Sequence, residues 1–272
     1  MKGYSLHIGL NYIDPMHYGG WDGKLNACEY DAHDMESIAK SLGYSTKTLI
    51  REEATRKNVI EKIENYSKLL KSGDILYISY SGHGGQTPDL DNDEMDAQDE
   101  TWCLYDGQLI DDELHYLWSL FKENVRVLVT SDSCHSGTIL KSRNSISKAN
   151  KSEEYLSKNL PSEITTRTYY KNIDFYSKVL LRLKNKSKFK IKASIKLISG
   201  CQEDQLSYDG TFNGVFTAHL KKVWNGGKFK NNYEMFCNKI RKSINDPEQI
   251  PKLTNLGKRM TKFDKQTPFQ IV

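Results

Sequence analysis

The chain has 272 residues, 38% of them hydrophobic, and a formal net charge of +4. That length carries one large domain or two small ones, with apolar content ample for a core. The charge is too modest to argue for a nucleic-acid partner, and no stretch approaches the ~20 apolar residues of a membrane span.

The five cysteines, Cys28, Cys103, Cys134, Cys201 and Cys237, are odd in number, widely spaced and without a CxxC pair. Neither a disulfide framework nor a zinc site is expected, and a reducing, intracellular setting fits better. The opening MKGYSLHIGLNY has no basic region followed by a long apolar run. A soluble cytoplasmic protein is the expectation.

In chain order, residues 4–11 (YSLHIGLN) read as a first strand, followed by a structured loop rich in Gly, Pro and aromatics. Helical spacing of Ala27, Ala32, Met35, Ile38, Ala39 and Leu42 predicts a helix over 26–41, stopped by Gly43. Residues 46–51 form a second strand and 54–71 an amphipathic helix ending at Ser72-Gly73. Residues 74–81 (DILYISYS) are a third strand running into Gly82-His83-Gly84-Gly85. An acidic loop fills 86–112, broken by the apolar Trp102-Cys103-Leu104-Tyr105. A short helix over 112–121 and a fourth strand over 125–131 follow. Residues 141–192 are rich in Lys, Arg, Ser and Asn and read as a solvated excursion, with a helix around 174–183. A fifth strand (194–200), helices over 214–224 and 233–243, and a terminal strand at 268–272 (PFQIV) complete the chain. Strands alternating with helical patterns predict βαβ units and a mainly parallel sheet covered on both faces.

The fourth strand runs directly into Ser131-Asp132-Ser133-Cys134-His135-Ser136-Gly137. Ligands of open α/β sheets bind at the carboxyl edge of the strands. Right-handed crossovers bring the carboxyl ends of the third and fourth strands to one edge, so His83 and Cys134 should meet there. A cysteine nucleophile needs a base for its proton and donors for the developing oxyanion. His83 can take the thiol proton and return it to the leaving amine. The amides of Gly84 and Cys134 are natural oxyanion donors. Taken singly, His83 is an ordinary loop histidine and Cys134 a buried inert thiol; it is the pair, after two parallel strands, that points to catalysis. A phosphate-loop reading of SGHGG lacks GxxxxGK[ST] and a helix start directly after it. Zinc held by Cys134, His83 and His135 has no supporting ligand spacing.

The blocks GLNYIDPMHYGGWDGKLNACEYDA, YSGHGG, SDSCHSG and SGCQEDQLSYDGTFNGVFT resemble the caspase-like cysteine peptidases, in particular metacaspases and orthocaspases. The likeness covers nearly the whole chain outside 141–192. It implies an α/β caspase–haemoglobinase fold, a three-layer αβα arrangement with a six-stranded, mostly parallel sheet whose last strand is antiparallel. It implies a His83/Cys134 dyad in one peptidase domain over 1–272, with a large-subunit-like part (1–140), a basic linker (141–192) and a small-subunit-like part (193–272). The alternative from another class is a catalytically silent caspase-like interaction module, whose signature is loss of the dyad; both members are present here.

Asp132 lies two residues before Cys134, and strand alternation puts both on one side. The resemblance places Asp132, Asp31, Cys28 and Ser81 in the pocket for the residue before the cut. Two carboxylates in one pocket repel unless a cation sits between them, which favours Arg or Lys there. Outside a pocket, Asp31 would be an exposed first-turn carboxylate favoured by the helix dipole. Asp204 and Asp209 are weaker candidates for the pocket wall, a surface loop being the alternative. A basic-selective pocket makes the insert itself a substrate, with Lys141, Arg143, Lys148 and Lys151 as self-cleavage candidates.

The chemistry requires no cofactor. The acidic run DLDNDEMDAQDE offers oxygen ligands suited to Ca²⁺ but lacks the EF-hand spacing. The resemblance matches calcium ligands to Asp99, Asp111 and Asp112, with Lys141 where an aspartate is common; an ammonium there opposes the ion. The partners expected are protein or peptide substrates with basic residues, no nucleic acid and no membrane. A monomer is expected, because a sheet closed by its own antiparallel strand has less reason to pair at its edge.

Overall fold

The computed structural model describes residues 1–88, 98–134, 156–183, 189–202 and 205–272. The main sheet has six strands: β1 (Gly3–Gly9), β2 (Ser45–Ile50), β3 (Ile75–Ser81), β7 (Arg126–Asp132), β8 (Ser194–Ser199) and β9 (Lys252–Gly257). Their order is β2-β1-β3-β7-β8-β9, with every pairing parallel except β8–β9. Strands β3 and β7 are buried at every position, which is why their sequences are near-continuous apolar runs rather than alternations.

Helices cover both faces. Helices α1 (Cys28–Ser41), α6 (Val215–Trp224) and α7 (Tyr233–Ile244) share one core through Met35, Ala39, Phe216, Leu220, Phe236 and Ile240. Helices α2 (Arg56–Leu69) and α3 (Asp111–Ser119) build the other through Val59, Ile63 and Leu117. The start of α2 is fixed by Thr55, whose side chain accepts from the Asn58 amide. Among the described residues no helix is long and apolar enough to cross a membrane.

Three expectations need correction. The acidic stretch after β3 is not simply a loop: β4 (Gly84–Pro88), β5 (Gln98–Leu104) and β6 (Gly107–Ile110) form a small antiparallel sheet. Its apolar break is the reason, since Trp102, Cys103 and Leu104 are buried and Trp102 stacks on Tyr80 at 4.7 Å.

The antiparallel last strand is Lys252–Gly257, not the tail 268–272. Phe269 sits at φ 64°, incompatible with a strand, and its ring is buried. The tail carbonyls of Gln270, Ile271 and Val272 instead accept from the Arg126 guanidinium.

The basic insert, where described, is packed rather than solvated. Helix α4 (Ser162–Lys171) is an addition to the elements expected from sequence, and α5 (Ile173–Leu183) matches one of them. Tyr169, Tyr176 and Leu180 are buried, and Arg56 pairs with Glu113 at 2.7 Å while lying over the Phe175 ring. A last short helix, α8 (Thr261–Lys265), buries Phe263.

Candidate active site

Strands β3 and β7 pair in parallel with Ser81 opposite Asp132, so the chain leaves both at the same edge. His83 and Cys134 each follow two residues later. The amides of Gly84 and Cys134 converge on one oxygen, the Lys158 carbonyl, at 2.9 and 3.1 Å. The two loops are therefore brought together, as the topology predicts. These distances are those of an oxyanion hole.

His83 is buried against Trp21, whose ring lies 4.7 Å away. Its Nε2 is 2.8 Å from the Gly23 carbonyl. A carbonyl only accepts, so Nε2 carries the ring proton and the neutral ring presents a lone pair at Nδ1. Burial lowers the His83 pKa to about 4; the Gly23 and Asn159 backbone oppose that and the charge of Lys158 adds to it. The ring is thus a free base at neutral pH. Gly23 must be glycine, because its φ is +58° and a Cβ would lie 3.1 Å from the imidazole. The Cys134 thiol is buried, accepts from the Ser207 amide and donates to the Ser207 carbonyl at 3.4 Å.

The pocket beside His83 and Cys134 holds an ammonium. Lys158 Nζ is 3.1 Å from Asp31, 3.1 Å from Asp132, 3.8 Å from Asp209 and 2.9 Å from Ser81 Oγ. Lys158 is fully buried, and Asp31, Asp132 and Asp209 are within 2% of it. Such a cluster is tolerated only because each charge is paired and hydrogen-bonded. Burial opposes the lysine's charge, but Asp132, Cys28, Asp31 and Asp209 outweigh it and hold its pKa well above the ordinary value. Three carboxylates face one cation, and burial pushes Asp31 and Asp209 upward against the pull of Lys158.

Each carboxylate is fixed by a different segment. Asp31 accepts from Ser81 Oγ at 2.7 Å, Asn213 at 2.9 Å and the Gly214 amide at 3.1 Å. Asp132 accepts from Ser207 Oγ at 2.6 Å and Thr217 at 2.9 Å. Asp209 accepts from the Asn26 and Ala27 amides ahead of α1. A Cβ on Gly214 would lie 2.3 Å from both the Asp132 carboxylate and the Lys158 ammonium, so this wall requires glycine. Cys28 borders the group as a buried thiol with a raised pKa. Asp31 is thus not an exposed first-turn carboxylate, and Asp209 is a full member of the cluster. Asp204 lies outside the described residues.

Lys158 is the residue of this cluster that sequence reasoning misses. The four self-cleavage candidates, Lys141, Arg143, Lys148 and Lys151, lie outside the described residues. In a run full of lysines nothing marks one of them. The nearest signal is the apolar flanking in Tyr-Leu-Ser-Lys-Asn-Leu, where Leu160 is buried.

At a second position, Asp99 on β5 and Asp111 and Asp112 at the start of α3 bring carboxylate oxygens within 4.8 Å of one another, with Asp99 and Asp112 buried. A set of hard oxygen donors at this spacing fits a divalent cation such as Ca²⁺. A cavity of about 630 Å³ lies beside β8 and β9, lined in part by Lys196, Asn238, Arg241 and Arg259, and includes neither His83 nor Cys134.

A family model described as a caspase domain, of the C14 peptidases, matches residues 12–261. Metacaspase-1A of Aspergillus oryzae is 28% identical over 276 residues, covering 88% of this chain and 64% of its own length. Metacaspase-1 of Saccharomyces cerevisiae is 36% identical over 151 residues, covering 50% of this chain and 34% of its own. The chain thus spans between a third and two thirds of the length of these relatives. The crystal structure of protein GSU0716 from Geobacter sulfurreducens superposes with a TM-score of 0.88 at 47% identity, covering 100% of both chains.

Proposed function

The chain belongs to the caspase-domain family of C14 peptidases, and from that membership we propose that it is a cysteine endopeptidase cleaving after Lys or Arg through Cys134 and His83. The observation that carries the specificity is the Lys158 ammonium enclosed by Asp31, Asp132 and Asp209. An anionic pocket rejects acidic side chains by repulsion and neutral ones by leaving its carboxylates unpaired.

His83 Nδ1 takes the Cys134 proton as Sγ adds to the substrate carbonyl carbon. The oxyanion forms against the amides of Gly84 and Cys134, where one donor is worth about 10²–10³ in rate. The carbon–nitrogen bond then breaks and the proton passes to the departing amine. Water hydrolyses the thioester, releasing a carboxylate and restoring the thiol. Self-processing within the basic insert belongs to the same reading. Asp99, Asp111 and Asp112 would hold Ca²⁺, which is proposed as an activator and would contribute charge there rather than a step of the peptide-bond chemistry. Five buried free thiols suit a reducing compartment, and the chain is proposed to act there as a monomer.

The test is hydrolysis of fluorogenic peptides with Arg, Lys or Asp before the cut, with and without Ca²⁺ and with Cys134→Ala as control. Turnover of the Arg and Lys peptides alone, lost in the variant, is expected. No hydrolysis under any condition favours the silent module.

A further inference from the structure

Behind the loops that carry His83 and Cys134, one side chain reaches the support of both. Trp102 of β5 is buried, and its ring stacks on Tyr80 of β3 at 4.7 Å with 9° between the planes. Tyr80 stands in register with Ser131 of β7. The indole spans that step, its Nε1 donating to Ser131 Oγ at 3.1 Å. An indole nitrogen only donates, so Ser131 Oγ accepts and its own proton is left for Ser133 Oγ, 2.9 Å away. Ser133 directly precedes Cys134.

The histidine loop is held from the same place. The His83 carbonyl accepts from the Tyr80 hydroxyl at 2.7 Å and from the Cys103 amide, next to Trp102 in β5, at 2.9 Å. Both lone pairs of that oxygen are thus used. Gly84, one of the two oxyanion donors, is the residue opposite Trp102 in the β4–β5 pairing. The main-chain link between the two strand exits is long by comparison. The Gly82 amide reaches the Asp132 carbonyl at 3.4 Å, against about 2.9 Å for an ordinary bond of this kind. Alignment of the two loops therefore falls to the side chains behind them.

We infer that Trp102 is a positioning residue for the peptidase reaction, holding the His83 base, the Cys134 nucleophile and the Gly84 amide in mutual register through its ring and its indole N–H. This rests on the peptidase reading and goes beyond it by naming the residue that fixes the geometry of those three groups. Proton transfer and attack demand that geometry, and a displacement of about 1 Å costs about 10²-fold in rate. The effect falls on turnover rather than on binding. Along β7, Ser131 and Ser133 alternate with Asp132, so the ties to Trp102 lie on the face away from the carboxylate that selects the substrate side chain.

The test is steady-state hydrolysis of fluorogenic Lys and Arg peptides by the full chain and four variants. Trp102→Phe keeps a ring on Tyr80 and loses the N–H; kcat is expected to fall roughly 10- to 100-fold with KM within about twofold of wild type. Ser131→Ala removes the acceptor of the same bond and should behave alike. It also carries the test alone should Trp102→Phe not fold. The double variant should be no slower than the slower single one, because both changes delete one hydrogen bond. Trp224→Phe truncates another buried tryptophan, packed on Phe236 and Phe269, and should keep the wild-type kcat. With an active wild type, an unchanged kcat in Ser131→Ala and in any folded Trp102→Phe overturns the inference and leaves the peptidase reading standing. So do additive losses in the double variant, a loss confined to KM, or an equal loss in Trp224→Phe. Absence of hydrolysis by the wild type takes down the peptidase reading, and the inference with it.

Discussion

The Lys158 ammonium lies 3.1 Å from the Asp132 carboxylate, and neither group reaches solvent. Charge pairs enclosed in this way lose about 2–5 kcal/mol when one partner is truncated. Asp132→Asn and Asp31→Asn are therefore expected to lower kcat/KM for Lys and Arg peptides by roughly 30- to 4,000-fold. Asp209, at 3.8 Å, makes no direct hydrogen bond to the ammonium, and Asp209→Asn should cost only about tenfold. Steady-state kinetics on matched peptides check this; equal rates for Asp132→Asn and wild type would remove Asp132 from the pocket.

The His83 pKa of about 4 belongs to a filled cleft. Its causes are burial first, with the charge of Lys158 adding to it, and both weaken when 156–158 leaves the cleft. An NMR titration of Cys134→Ala should give a His83 midpoint near 4, and the double variant with Lys158→Gln a midpoint shifted toward the ordinary 6.5. Since only the neutral ring accepts a proton, the activity of the cut enzyme should fall as pH drops through the higher midpoint. Identical midpoints in the two variants would contradict this.

His7 is buried between Ser5 and Ser79, both 2.8 Å away, and burial lowers its pKa to about 3. Burial likewise lowers His17 to about 4. A depressed histidine binds its proton more readily in the unfolded chain, so stability rises with pH across the interval from the folded to the unfolded pKa. Thermal stability should therefore decline steadily as pH falls from 6.5 toward 4. Asp31 and Asp209, raised by burial, act in the opposite sense at the acid end. His7→Gln isolates the histidine contribution: its Tm should change less between those pH values than wild type, whatever its absolute stability. An unchanged slope would be evidence against the assignment.

Asp99, Asp111 and Asp112 predict Ca²⁺ binding at one site. A ligand that binds only the folded chain raises stability by RT ln(1 + [L]/Kd), about 2.7 kcal/mol at a hundredfold excess over Kd. Titration calorimetry and Tm in Ca²⁺ should both respond, and Asp112→Asn should weaken the affinity by at least about tenfold. No heat and no Tm change in wild type would show that the cluster does not hold the ion.

Arg126 draws the chain end onto the sheet, donating to Gln266 at 2.5 Å and to the Gly73 carbonyl at 2.7 Å as well as to the tail carbonyls. Arg126→Met leaves those buried acceptors unpaired and should cost about 2–4 kcal/mol. Denaturant unfolding measures it; a loss below about 0.5 kcal/mol would place the tail's attachment elsewhere.

Much of the frame is legible in the sequence. Continuous apolar runs mark β3 and β7, and the crossover rule puts His83 and Cys134 at one edge. Repulsion between Asp31 and Asp132 calls for a cation between them, and an ammonium stands there. Elsewhere local pattern is a poor guide to partners. PFQIV has strand composition, yet its carbonyls go to Arg126; KLTNLG lacks strict apolar alternation, yet β8 offers it an open edge.

What the sequence by itself determined is what nearest neighbours encode: strand and helix periods, caps, and the small-residue loops around His83 and Cys134. Only the tertiary structure decided which lysine fills the pocket. Composition treats the lysines of the insert alike, whereas burying an ammonium requires carboxylates from residues 31, 132 and 209 to converge on it. That convergence depends on three segments distant along the chain, and it is met at Lys158 with the carbonyl of the same residue in the grip of the Gly84 and Cys134 amides.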